Sequence, residues 1–96
     1  MSPTKFEFSI PVSFLKENET FVAYSPVLDV ATSGASFEEV RRRFGEAVNI
    51  FFEEVTEKGT LDVVLSELGW QKLENKWQPP VFISTESENF KIPALV

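Results

Sequence analysis

The 96-residue chain contains no cysteine and no histidine. Without cysteine there are no disulfides and no thiolate metal sites. Without histidine the chain lacks the commonest general base near neutral pH and the commonest transition-metal ligand, which excludes His-based triads and HExxH zinc sites. Glycine is scarce, at four residues, and forms neither GxGxxG nor GxxxxGK[ST]. The small polar run Thr32 to Ser36 has no Lys and no second Gly with which to cradle a phosphate. No apolar run approaches the ~18 residues of a membrane span. The start MSPTKFEF has no apolar signal core, so a soluble, cytoplasmic protein is expected. Positive charge is also in short supply: nine Lys and Arg stand against fifteen Asp and Glu, a net charge of -6. Such a surface repels nucleic-acid phosphate, whereas a basic protein partner would be steered toward it. The only Asp residues are Asp29 and Asp62, and most Glu fall on solvated helix faces, so no metal or other cofactor is expected.

What the chain does have is bulk. The apolar fraction is 43% and ten residues are Phe, which suits one domain with a core of large rings. That domain is read as residues 1–96, with a core over 5–69 and a β-rich extension over 70–96. Phe6, Phe8, Ile10, Val12 and Phe14 alternate with Lys5, Glu7, Ser9, Pro11 and Ser13, the period of a strand with one buried face. Pro11 lacks an N–H and favours an edge or a bulge. Lys16 to Thr20 reads as a polar turn into a second strand, Phe21 to Tyr24, with apolar groups on both faces. Two-sided apolarity fits a central strand covered by a helix on one side and by something else, such as another subunit, on the other. Ser25-Pro26 breaks this strand, and Leu28 to Ser33 reads as a third.

The sharpest local signal is the join between sheet and helix. Gly34 provides a turn and Ser36 an N-cap, while Glu39 can reach back to the Ser36 backbone N–H as a capping box. Val40, Phe44, Ala47, Val48, Phe51 and Val55 then recur at helical spacing, and Phe52 widens the stripe. The helix is expected from about Phe37 to Lys58, closed by Gly59. Arg41-Arg42-Arg43 is interleaved with Glu38, Glu39 and Glu46 at spacings of four, which reads as a salt-bridged face rather than a phosphate site. Thr60 is expected to cap a second helix, Leu61 to Leu68, stopped by Gly69. Trp70 to Gln78 reads as a small hairpin, Val81 to Ile83 as a short strand, and Phe90 to Val96 as a β-like tail with Pro93 marking an edge.

The run FVAYSPVLDVATSGASFEEVRRRFGEAVNIFFEEV resembles the HicB-like antitoxins of prokaryotic type II toxin–antitoxin systems. The likeness rests on the aromatic strand running into a proline (Tyr24, Pro26), then Leu28, the small-residue turn with Gly34, the cap and Glu pair (Ser36, Glu38, Glu39), and Ala47 inside the helix. Val40 departs from the Ala usual after the Glu pair. The resemblance implies a partial RNase H-like core: a three-stranded meander, a long helix across it and a further strand. It also implies no enzymatic activity, homo-oligomerisation, and binding to HicA, a small basic RNA-cleaving toxin. Many members carry a helix-turn-helix or ribbon-helix-helix segment for operator DNA. The sequence after Gly69 reads only as β-like with prolines, so no DNA-binding segment is expected.

The expected fold is therefore α+β, in the order β-β-β-α-α-β with extra C-terminal strands, forming a homodimer. The expected function is non-catalytic capture and neutralisation of a HicA-like toxin through an acidic face and a sheet edge. Asp29, Glu38 and Glu39, near the strand-to-helix join, are the candidate partner contacts. The rival reading for Glu38 and Glu39 is that they only cap the helix and complement its dipole. For the chain as a whole, the alternatives are a solitary oligomer with another partner, or a carboxylate and metal-dependent enzyme.

Overall fold

A computed structural model describes residues 8–94, which form an α+β fold. In chain order the elements are β1 (Ser13–Glu17), β2 (Thr20–Ser25), β3 (Val30–Gly34), α1 (Phe37–Glu57), α2 (Leu61–Glu67), β4 (Gln71–Leu73) and β5 (Lys76–Gln78). β1, β2 and β3 make an antiparallel meander with β2 in the centre, and β4 and β5 pair as a separate hairpin. The further strand implied by the resemblance therefore does not join the main sheet.

The first strand is shorter and later than its alternation suggests. Ser13 pairs with Tyr24, one residue before β2 ends, so residues 8–11 have no β2 backbone opposite them. Pro11 in this lead-in has no N–H to give to a ladder. The side chains go to the core instead. Phe8 packs on Phe52 and Trp70, with ring centroids 5.4 and 5.2 Å apart. Ile10 and Val12 join the two apolar clusters described below. Phe6 lies outside the described residues. The hairpin turn shrinks to Asn18-Glu19 between the paired Glu17 and Thr20, with Asn18 at φ 56°. Asn tolerates this left-handed conformation better than most residues.

The sheet's inner face is set by period two. Phe21, Ala23 and Ser25 of β2 lie opposite Gly34, Thr32 and Val30 of β3, and this face receives α1. Ala23, Val40 and Phe44 form one buried cluster, and Val27, Leu28, Leu65 and Trp70 form another. Val30 and Val48 touch both, so the two clusters make one continuous core. On α1 the expected stripe is the buried one: Val40, Phe44 and Val55 are buried, and Ala47, Val48, Phe51 and Phe52 are half-buried. Leu28 belongs to the turn before β3 rather than to the strand, and is buried there.

The helix start is built as a capping box with a shifted partner. Ser36 Oγ accepts from Glu39 N–H at 3.1 Å. Glu39 Oε2 accepts from the Ala35 N–H at 3.3 Å, one residue earlier than the expected Ser36 N–H. Gly34 is needed here for space: a Cβ on it would sit 3.0 Å from the Val40 backbone N and 3.2 Å from its Cα. At the other end Lys58 is the C-cap and Gly59 takes φ 69°. Thr60 makes no side-chain cap bond to α2, although its carbonyl accepts from Val64 N–H at 2.9 Å.

Beyond α2, Gly69 at φ 91° turns the chain and Trp70 drops into the core, only 3% exposed. Its Nε1–H donates to the Val27 carbonyl at 2.7 Å. Glu74 and Asn75, both at positive φ, make the two-residue turn of the β4–β5 hairpin, and Trp77 lies half-buried against the same cluster. The expected strands at Val81 to Ile83 and from Phe90 do not form within the described residues, because no strand edge lies beside them. Leu95 and Val96 lie outside those residues. No helix among the described residues is long and apolar enough to cross a membrane.

Two measurements check this packing. Trp70→Phe removes the indole donor and leaves the buried Val27 carbonyl unpaired, a loss of about 1–3 kcal/mol. The thermal midpoint is expected to fall by about 10 °C, and by much less for Trp77→Phe. Gly34→Ala should cost about 1–3 kcal/mol through the clash with the Val40 backbone. Gly45→Ala, in α1 where a Cβ meets nothing within 4 Å, should instead raise stability by up to ~1 kcal/mol. Equal effects at the two glycines in urea melts would contradict the close approach at Gly34.

Candidate protein-binding surface

Among the described residues, no element covers the sheet face opposite α1. Ser13, Leu15 and Glu17 of β1 lie across from Tyr24, Val22 and Thr20 of β2, and Ala31 and Ser33 of β3 complete the face. Leu15 is 47% exposed, and Val22 and Tyr24 are half-buried. An apolar centre with a polar, acidic rim is the anatomy of a protein-binding patch.

Asp29 belongs to this face. It sits in the turn before β3 at φ 53°, and its Oδ1 accepts from the Tyr24 hydroxyl at 3.2 Å. Loss of water around the ring raises the Tyr24 phenol above its usual value of 10.0, and the hydrogen bond to Asp29 and its negative charge push the same way. Asp29 itself is exposed, so its carboxylate rims the Leu15, Val22 and Tyr24 stripe.

The other two candidates lie elsewhere. Asp29 precedes β3 and Glu38 and Glu39 follow it, so the five residues of β3 keep the two groups ~17 Å apart along the strand. Glu39 is committed to structure: besides accepting from Ala35 N–H, it pairs with Arg43 Nη2 at 2.8 Å and its side chain is only 27% exposed. Arg43 in turn donates to the Ser33 carbonyl at 3.2 Å, tying α1 to the β3 edge. Glu38 is exposed, and Arg42 pairs with Glu46 at 3.0 Å in preference to it. Glu38 therefore remains open to a partner, with the helix dipole favouring its charge.

The period of two already puts Val22 and Tyr24 on one side of β2, but sequence reasoning missed Leu15 as their neighbour on that face. Their joint placement depends on the β1–β2 register, which the two-sided apolarity of β2 left open.

Other features offer less. Among the described residues, no group of three or more Asp and Glu converges as metal ligands would. Ser25 is wholly buried and its Oγ has no hydrogen-bond partner, so no base contacts it as nucleophilic chemistry would need. A cavity of ≈ 230 Å³ lies between Gly69, Gln71, Gln78 and Pro79 to Val81. It is smaller than the ~300 Å³ at which small-molecule sites begin.

Comparison with protein-family models, with curated proteins and with solved structures returned no match.

Because Tyr24 is the chain's one tyrosine, its titration is directly readable by ultraviolet absorbance. The midpoint should lie above 10.0 in the folded protein and move down toward it in Asp29→Asn. A raised folded-state phenol means that the unfolded chain loses its proton first as pH rises. This contribution to stability is therefore complete below pH 10.0 and is lost as pH climbs through the folded-state midpoint. A midpoint indifferent to Asp29→Asn would remove the Tyr24–Asp29 bond from the description of this face.

Proposed function

We propose that the protein is a non-catalytic, HicB-like antitoxin-type binding protein. It captures a small basic partner of the HicA-like, RNA-cleaving kind and works as a homodimer. The observation that carries this reading is the uncovered sheet face, an apolar stripe of Leu15, Val22 and Tyr24 edged by Glu17 and Asp29, in a chain of net charge -6. The order of meander followed by long helix, which the resemblance implies, supports it as well. Complementary charge brings the partner in quickly and sets the register, and the apolar stripe supplies the buried area that holds it.

Within this reading the three acidic candidates divide. Asp29 and Glu38 act on the partner, and Glu39 holds the helix start. The resulting complex is salt-sensitive, because rim charges act through screened fields.

The first test is a pull-down with the tagged protein from its native cell extract, at low and at high salt. Recovery of a stoichiometric small basic protein, released by salt, is the expected result. Recovery of nothing but the protein itself would defeat the proposal. With that partner in hand, Asp29→Lys combined with Glu38→Lys should weaken binding about tenfold and flatten its salt dependence. Glu39→Gln should lower thermal stability while leaving affinity nearly intact. Unchanged affinity in the double charge reversal would remove both residues from the interface.

A further inference from the structure

One stretch of chain is little packed: of its large apolar side chains Phe82 is half covered, at 49% exposed, and the others are open. Residues 81–94 follow β5 without a strand partner, and every one of them is exposed. Val81 and Phe90 are 83% exposed, Ile92 84% and Ile83 97%. This is not the composition of a solvated tail, which would be polar and poor in β-branched and aromatic residues. Two apolar clusters, Val81-Phe82-Ile83 and Phe90-Lys91-Ile92, flank the polar run Ser84 to Asn89, and both are rich in strand-forming residues. In the second, alternation places Phe90 and Ile92 on one side of an extended chain and Lys91 on the other.

The same protomer has a place where such a strand fits. β1 is an edge strand, and all five of its residues are exposed. Phe14 on one face and Leu15 on the other are 39% and 47% exposed. The opposite edge, β3, is less open, because the Ser33 carbonyl already takes the Arg43 guanidinium. An open edge offers unpaired backbone donors and acceptors to any extended chain.

The segment does not turn back to its own sheet. The molecule measures 63 × 29 × 22 Å, and its radius of gyration is 16.9 Å. A compact chain of this length would have a radius of about 12.5 Å. The exposed residues 81–94 fit this excess length.

We propose that residues 81–94 of one protomer add as a strand to the β1 edge of a second copy, and that the exchange is reciprocal. Reciprocity closes the pair with two-fold symmetry and leaves no donor segment free to propagate a fibre. Each protomer contributes 14 tail residues and its β1 edge with the neighbouring apolar side chains. Together these reach the ~20–30 residues a side of a stable interface. The inference deepens the homodimer named above and does not depend on the identity of the toxin-like partner. It leaves the sheet face with Val22, Tyr24 and Asp29 available to that partner.

The test uses the full chain. Light scattering on the eluting protein should give twice the 10.9 kDa chain mass. Ile83→Asp combined with Ile92→Asp should raise the dimer dissociation constant at least about a hundredfold. The near-UV signal of the buried Trp70 should stay unchanged, because Ile83 and Ile92 are almost fully exposed within the protomer. The absence of cysteine allows a second readout. A mixture of Ser13→Cys and Lys91→Cys chains should form the mixed disulfide well above a mixture of Lys58→Cys and Lys91→Cys. A single-chain mass for the unaltered protein would overturn both dimer and exchange. A dimer untouched by the two aspartates, or a mixed disulfide no stronger than the control, would overturn the exchange while leaving the dimer standing.

Discussion

The hydrogen bond from the Trp70 indole to the Val27 carbonyl is the point on which the architecture turns. It joins residues 43 apart, fixing the turn between β2 and β3 to the segment that leaves α2. Around it Val27, Leu28, Leu65 and Trp70 are almost wholly buried, and Phe8 closes over the indole edge-on. A meander of three short strands and one helix has little interior. A large ring brought in from the far side of the chain supplies what the strands cannot, and its one polar atom is satisfied at a carbonyl that would otherwise be buried unpaired. The β4–β5 hairpin follows from that anchor. It is held by Trp77 on the same cluster and by the Lys72–Asp62 pair at 3.6 Å to α2, and it shares no ladder with the main sheet.

The second constraint lies at the other end of β3. Gly34, Ser36 and Glu39 bring the first turn of α1 down onto the end of the strand, at a distance that leaves no room for a Cβ. This close approach decides what the acidic residues can do. Glu39 is spent on the Ala35 N–H and on Arg43, and Arg43 on the β3 edge. Asp29, at the opposite end of the strand, is held beside Tyr24 on the face that no helix covers. Two carboxylates close in sequence thus belong to different parts of the molecule, one to the fold and one to its surface.

A three-stranded sheet with one covered face presents a bare face and two edges, and this protein treats each differently. The β3 edge is partly closed by Arg43, the β1 edge is open, and the bare face carries an apolar stripe with acidic residues beside it. The proposals for a basic partner and for strand exchange between copies place one occupant on the face and one on the open edge. They account for the same excess of unburied apolar surface without competing for it.

Local chemistry settled much in advance. The α1 stripe, its Ser36 start and its Gly59 stop, the Glu74-Asn75 hairpin, and the order of sheet, helices and hairpin could all be read from residue spacing, because capping and period depend on neighbours a few residues away. The lack of histidine and cysteine likewise bounds the chemistry without reference to any fold. Tertiary structure decided what depends on distant partners. The alternation over residues 6–14 promised a strand, but β2 ends too soon to pair with residues 8–11, and Phe8, Ile10 and Val12 serve the core. Val81 to Ile83 and Phe90 to Ala94 have strand composition but do not pair with the open β1 edge of their own protomer. Period two in β2 could not say which side faces α1; the register with β1 and β3 did, and it gathered Leu15, Val22, Tyr24 and Asp29 on one face. Nor could the sequence choose between the two tryptophans. Only packing put Trp70 against Val27 and left Trp77 at the rim.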